Sequence, residues 1–162
     1  MSVALTDMSA YAQSLVHKLG LEAHPEGGWY VRDWQSPHTD IASERPLASL
    51  IYFLLPTGDA SAWHKVDADE LWLWHGPSRL NLQLGGSGDS PLADAECTTI
   101  VLGSGLSTRH EKSTPASNAA VPVGHAIVPA GVWQRTLPAT GDVLVSCVVS
   151  PGFVFSGFTL DE

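Results

Sequence analysis

The sequence predicts an all-β chain, a jelly-roll barrel with one N-terminal helix packed outside it. Residues 7 to 19 are the single stretch with convincing helical spacing, and many short apolar runs follow them. Fifteen Gly and eleven Pro punctuate those runs as turns would. At 162 residues the chain suits one domain over 1–162, with the helix in 1–20 and the jelly roll in 21–160. A chain of that length buries roughly two-thirds of its unfolded surface in one core.

The helix comes first. Asp7 or Ser9 can cap its start, and Tyr11, Leu15, Val16 and Leu19 recur on one face. Gly20 stands where a left-handed C-cap belongs. Ser49 to Leu55 is a continuous apolar run ended by Pro56, the pattern of a strand buried on both faces. Residues 70–75 and 79–84 alternate, and the Gly76-Pro77-Ser78 turn between them predicts a hairpin. Further strands are expected near 97–102, 124–129, 132–137, 142–149 and 153–160. Residues 85–95 and 103–120, rich in Gly, Ser, Ala, Asp and Thr, are expected to be surface loops.

Composition excludes several functions. Eight Lys and Arg against 17 Asp and Glu give a net charge of −9 with no basic cluster, a field that repels nucleic acid and anionic membranes. No apolar run approaches a spanning length. Cys97 and Cys147 lie inside apolar β-like runs and are expected as small core residues rather than a disulfide. The N-terminus lacks the basic and apolar regions of a secretory signal, so a cytoplasmic location is the expectation. Catalytic Ser-His-Asp patterns, G-x-S-x-G, phosphate loops and CxxC pairs are missing. His17, His38, His110 and His125 have no evident partners and are given no role.

Two segments carry the chemistry. Ser61 to Gly76 places His64 six residues before Glu70, followed by Trp72, Trp74, His75 and Gly76; Pro129-Ala-Gly131-Val-Trp133-Gln134 is a turn that ends on a polar side chain. A β-barrel can bring both to one wall of one cavity. His64, with an unperturbed pKa near 6.5, suits an acid or base, and Glu70 suits the orienter of its ring. The same two residues read equally as a hydrogen-bonded polar pair at a barrel mouth. Tyr30 or Tyr52 is a candidate matching acid. The paired glycines of His24-Pro25-Glu26-Gly27-Gly28 permit a bend that feeds Glu26 into the cavity. Arg32 suits a carboxylate or phosphate clamp, or a structural ion pair. Trp72 and Trp74 share one strand face by period two, while His75 points to the other.

The spacing His64-x5-Glu70-x5-Gly76 and the Pro129-x-Gly131-x-x-Gln134 turn resemble degraded forms of the two cupin motifs, H-x-H-x3-E and P-x-G-x-x-H. The His24 to Tyr30 segment, Asp69-Glu70-x-Trp72, Val128 to Gln134 and Ser150-Pro-Gly-Phe153-x-Phe155 resemble the functionally unassigned cupin family marked by H-P-E-G-G, over residues 15 to 160. The resemblance implies a cupin double-stranded β-helix, similar to the dTDP-sugar epimerases, and a homodimer. Those epimerases use a His and a Tyr. Val66 and Gln134 stand where metal-binding cupins have His, which leaves His64, Glu70 and Gln134 as the only candidate metal set, suited to a labile divalent ion with several waters.

The expectation is therefore a small-molecule-binding pocket built from Glu26, Arg32, Tyr52, His64, Glu70, Trp72, His75 and Gln134, with His64 and Glu70 catalytic. Three functions fit it: a metal-independent epimerase or isomerase acting on a sugar, sugar nucleotide or similar polar ligand, a non-catalytic binding module, and a weakly metal-dependent enzyme.

Overall fold

A computed structural model describes residues 2–105 and 121–161. Most of the expected 103–120 loop, with His110, lies outside the described residues. Ser9 caps α1 (Ala10–Leu19), its hydroxyl accepting the Ala12 N–H, and Gly20 ends the helix at φ 67° and ψ 41°. Asp7 belongs instead to a short 3-10 turn, Leu5–Asp7. Ala12 and Val16 bury the helix against Leu54, with Trp29, Val31, Tyr52 and Leu144 around them. Tyr11, expected on that face, is 46% exposed because it sits at the edge of the stripe.

Two sheets face each other. The first is built in the order β1 (Glu22–Ala23), β2 (Trp29–Gln35), β3 (Ser49–Leu55), β10 (Val143–Ser150), β5 (Asp69–Pro77), β8 (His125–Val128). The second runs β11 (Phe158–Leu160), β4 (His64–Val66), β9 (Gln134–Thr136), β6 (Leu80–Leu84), β7 (Thr98–Leu102). Phe53, Leu55, Trp72, Leu80, Leu82 and Val145 fill the space between them. With α1 outside the first sheet, this is the expected jelly-roll architecture.

The hairpin expected at Gly76-Pro77-Ser78 does not form. β5 pairs with β10 and β8, whereas β6 pairs with β7 and β9, so the chain crosses here from one sheet to the other. Gly76 takes φ 109° at this corner, and Leu80 and Leu82 then face inward from the opposite layer. Alternation alone gives each strand its buried face but says nothing about which strand pairs with it.

Register sets what faces the interior. Ser49, Ile51 and Phe53 of β3 pair with Val149, Cys147 and Val145 of β10, which in turn pair with Glu70, Trp72 and Trp74 of β5. These residues recur with period two and share one face. His75 is skipped in the ladder, since Val145 pairs with Trp74 and Leu144 with Gly76. The bulge keeps Trp72 and Trp74 on the inner face and leaves His75 outside.

Asp142 ties the helix to the barrel. It accepts the Thr57 N–H at 2.9 Å, the Thr57 hydroxyl at 3.1 Å, and the hydroxyl of Ser9. Burial pushes its carboxyl up, but these bonds outweigh that and hold it below the ordinary value of 3.8. Asp142→Ala should therefore cost about 1–3 kcal/mol in urea unfolding near neutral pH. Because the folded group titrates below its unfolded value, that contribution is present above about pH 4 and is lost as pH falls further. The gap between variant and parent should narrow in acid; a gap independent of pH would contradict this role.

Candidate functional site

A cavity of about 510 Å³ opens between the sheets at the end where β1, β2 and the 153–158 segment meet. Its closed end carries His24, Glu26, His64, Glu70, Trp72 and Cys147; its walls are Ile51, Phe53, Val66, Val149, Phe153 and Phe158. Glu22, Tyr30, Arg32, Ser49, Val154 and Phe155 complete the lining.

The His24 to Gly28 segment forms a tight turn, with Gly27 N–H donating to the His24 carbonyl at 3.1 Å and His24 N–H to that of Gly28 at 2.9 Å. The turn presses on its neighbours so closely that only glycine fits. A Cβ on Gly27 would lie 2.1 Å from the Ala60 carbonyl oxygen, and one on Gly28 would lie 2.6 Å from the Phe53 ring. Both take positive φ, 107° and 74°, which a side chain would also strain. The close approach delivers Glu26 to the cavity, where it is only 7% exposed.

Ala62 then joins this turn to β4. Its N–H donates to the Glu26 carbonyl at 2.7 Å, and its own carbonyl lies 2.8 Å from His64 Nδ1. A carbonyl only accepts, so Nδ1 carries a proton and the neutral ring presents a lone pair at Nε2. That nitrogen faces Glu26 Oε2 at 3.3 Å. His24 approaches the same oxygen with Nδ1 at 3.6 Å, while accepting the Glu26 N–H at 3.3 Å. The carboxylate beside His64 is therefore Glu26, where the sequence pointed to Glu70.

Glu70 belongs to a second cluster. Gln134 Nε2 donates to Glu70 Oε2 at 2.6 Å, and Gln134 Oε1 accepts the Trp72 indole N–H at 2.9 Å. The Cys147 thiol faces the same cavity beside Glu70 and favours its ionised form. Gln134 is thus buried behind the cavity wall as a brace for Glu70 and Trp72.

The remaining expected residues divide in two. Arg32 stands at the mouth, donating to the Phe153 carbonyl at 3.2 Å and to Gln35 Oε1 at 3.3 Å. Tyr52 and His75 lie on the outer face of the first sheet, with ring centroids 6.1 Å apart and His75 Nε2 at 2.7 Å from Ser146 Oγ. They are not brought to the cavity. Tyr30, the other candidate acid, lines its mouth beside Glu22. His24 and Cys147 were missed as site residues. The period-two register of β10 opposite Glu70 and Trp72 could have found Cys147; only the contact between turn and barrel reveals His24.

Burial governs the charges. It pushes Glu26 well above the ordinary 4.5, helped by the nearby Glu70, and pushes Glu70 up to about 7 against the opposing bonds from Gln134 and Cys147. It lowers His24 and His64 to about 4 and pushes the Cys147 thiol well up. At neutral pH the closed end therefore holds neutral imidazoles and a Glu70 poised to exchange its proton, while burial and the nearby Glu70 bias the Glu26 carboxyl towards the protonated form that can donate to the lone pair of His64 Nε2.

A family described as Cupin superfamily (DUF985) matches residues 13–161, and the chain belongs to it. A solved Shewanella oneidensis protein is 34% identical with a TM-score of 0.73, covering 93% of this chain and 84% of that one. A hypothetical protein from Leishmania major is 26% identical with a TM-score of 0.72, covering 93% of this chain and 87% of its own. A Klebsiella pneumoniae protein with a double-stranded β-helix domain shares the fold, at 12% identity and a TM-score of 0.53 over 90% of this chain and 93% of its own. No curated protein matches the chain.

Many cupins hold a metal at the positions of His64, Val66, Glu70 and Gln134, and the side chains here do not fit one. Val66 offers no donor, the Gln134 oxygen is taken by Trp72, and His64 Nε2 faces Glu26 rather than Glu70. Among the described residues no group of three or more His, Cys, Asp or Glu is arranged to hold a metal ion.

The raised Glu70 carboxyl has a signature in stability. Its folded form keeps a proton that the unfolded form releases, so its contribution is full below about pH 4.5 and is lost as pH rises through about 7. His24 and His64 act oppositely, adding stability as pH rises from about 4 to 6.5. Glu70→Gln stays neutral and keeps an acceptor for Gln134. The variant should gain on the parent by an amount on the order of 3 kcal/mol between pH 5 and 8. Parallel melting curves across that range would contradict the raised carboxyl.

Proposed function

We propose that this chain is a metal-independent acid–base enzyme that binds a small molecule in its barrel and moves a proton on it, as an isomerase or epimerase does. The observation that carries this reading is the pairing of Glu26 Oε2 with His64 Nε2 at 3.3 Å, beside Glu70, at the closed end of a cavity large enough for a sugar-sized ligand.

Two carboxyls in different environments divide the work of acid and base. Glu70, titrating near neutrality, is suited to take a proton from the ligand. Glu26, its carboxyl pushed well up by burial and its Oε2 3.3 Å from His64 Nε2, is suited to return one. His64, lowered to about 4, is too weak a base to lead and instead receives the Glu26 hydrogen bond and fixes that proton's direction. Gln134 and the Ala62 peptide hold the two carboxyls in place, and the aromatic walls exclude water.

The size suits a monosaccharide-like body better than a sugar nucleotide. A diphosphate finds one guanidinium, Arg32 at the mouth, against Glu22, Glu26 and Glu70.

Incubating the protein with small sugars, hydroxycarbonyl compounds and amines in D2O tests this by proton NMR. We expect one C–H signal of a bound compound to wash out, and Glu70→Gln to slow the exchange by about 10²–10⁴-fold. A compound that binds in the cavity yet never exchanges would identify a non-catalytic binding module instead.

Assembly as a homodimer belongs to the same proposal. The two-residue β1 leaves one edge of the first sheet unpaired, and Trp34 is exposed nearby on β2. Light scattering should give twice the chain mass of 17.2 kDa; a monomer at micromolar concentration would refute it.

A further inference from the structure

We propose that the ligand of this cavity carries a protonated amine, held between the buried carboxyls of Glu26 and Glu70 and against the aromatic rings that wall the site. The inference takes the location of the ligand from the preceding reading but does not depend on any proton transfer.

Donors and acceptors are unequally supplied at the closed end. Among the described residues Glu26 makes no hydrogen bond to the main chain through its carboxyl; its neighbours are His64 Nε2 at 3.3 Å and His24 Nδ1 at 3.6 Å. Both nitrogens are lone-pair acceptors in the tautomers fixed by Ala62 and by the Glu26 N–H. Glu70 adds further acceptor capacity, and the Gln134 oxygen is already used by Trp72. The donors are the His24 Nε2–H that this tautomer leaves, the Cys147 thiol, the Gln134 amide committed to Glu70, and whatever proton the carboxyls share. This end of the cavity is rich in acceptors and poor in donors. An ammonium group, with three donors and no acceptor, is its complement.

Charge points the same way. Glu26 and Glu70 are each only 7% exposed, and among the described residues neither meets a Lys or Arg. Among the described residues that line the cavity, the single cationic side chain is Arg32, engaged at the mouth by Phe153 and Gln35. Two buried carboxyls without a counter-ion stay neutral by keeping protons; a bound monocation lets one of them ionise and takes that proton's place. An anionic ligand would meet the opposite balance.

The aromatic wall suits a cation as well. Phe153, Phe155 and Phe158 cluster at centroid distances of 5.1 to 6.3 Å, and His24 packs edge-on to Tyr30 at 4.5 Å. Ring faces attract a cation most where water is excluded. The chain's net charge of −9 favours the approach of cations from solution.

Binding should therefore release protons, and affinity should rise with pH until the amine itself deprotonates. The groups facing the carboxyls that also enter this linkage are His24, His64 and Cys147, with Glu22, Tyr30 and Arg32 at the mouth.

Calorimetry with three probes of one body tests the proposal: cyclohexylammonium, cyclohexanol and cyclohexanecarboxylate, each titrated into the full chain at pH 7.5 in phosphate and in HEPES. We expect the ammonium to bind at least about tenfold tighter than the other two, with a buffer-dependent heat that reports proton release. Glu26→Gln and Glu70→Gln, each checked for an intact melting transition, should each weaken the ammonium by about tenfold or more and leave the alcohol unchanged. Equal or tighter binding of the alcohol or the carboxylate, no binding of the ammonium at millimolar concentration, or insensitivity to both variants overturns it. Ammonium preference without proton exchange on any bound compound would sink the enzyme reading alone. Exchange on a neutral compound without ammonium preference would sink this inference alone.

Discussion

The backbone of one residue holds the site together. The Ala62 N–H is given to the Glu26 carbonyl and the Ala62 carbonyl receives the His64 ring, so a turn near the N-terminus and a strand of the second sheet are fixed to each other through a single residue. The first bond places the Glu26 backbone; the second fixes the tautomer and plane of His64. Together they decide that a carboxyl meets a lone pair rather than an N–H. The surrounding structure serves this junction. Ser2 and Val3 reach across to Gly28 and Asp59, Asp59 also holds Ala60, and two glycines let the turn approach Ala60 and Phe53. A bulkier residue at Gly27 would displace the carboxyl before it disturbed the barrel.

A carboxylate in a dry barrel is costly, and this fold contains two within Coulombic reach of each other. Charge repulsion and desolvation act in the same direction, so both favour the neutral form. Hydrogen bonds partly oppose them at Glu70, where Gln134 and Cys147 favour ionisation, and this separates the two groups: one carboxyl pushed well up, the other held near neutrality. The asymmetry arises from second neighbours rather than from exposure, which is the same for both. It follows that the chemistry of Glu70 depends on Gln134, a residue that does not itself line the cavity.

The strands were legible because their inputs are local. The Ser49 to Leu55 run and the period-two pattern of residues 79–84 each specify a buried face, and Gly20 and Ser9 specify the helix ends. What local pattern could not give was partnership. The turn at Gly76 to Ser78 looks like a hairpin until β10 is known to pair with β5. Tyr52 looks like a cavity residue until the register assigns it to the outer face, where His75 also lies, as period two within its own strand already implied. Glu70 looks like the partner of His64 because six residues separate them, yet Glu26, nearly forty residues away, takes that place. Each error has one cause: a contact between elements distant in sequence overrode a spacing rule that is correct within a strand.

The loss of metal donors and the gain of a proton-rich pocket are one change in physical terms. In a metal-binding cupin the divalent charge would offset buried carboxylates and call for lone pairs directed at a common point. Here Val66 removes one lone pair, and Gln134 turns its oxygen to the Trp72 indole and its amide to Glu70. An amide suits that bridge because it donates and accepts through separate atoms, satisfying an indole that can only donate and a carboxylate that accepts. With no divalent charge directed at the carboxyls, burial supplies protons in its place, and protons, unlike a coordinated ion, can be exchanged with a ligand or displaced by one. The acceptor-rich geometry inherited from the fold is thereby open to an occupant that brings positive charge and several N–H groups of its own.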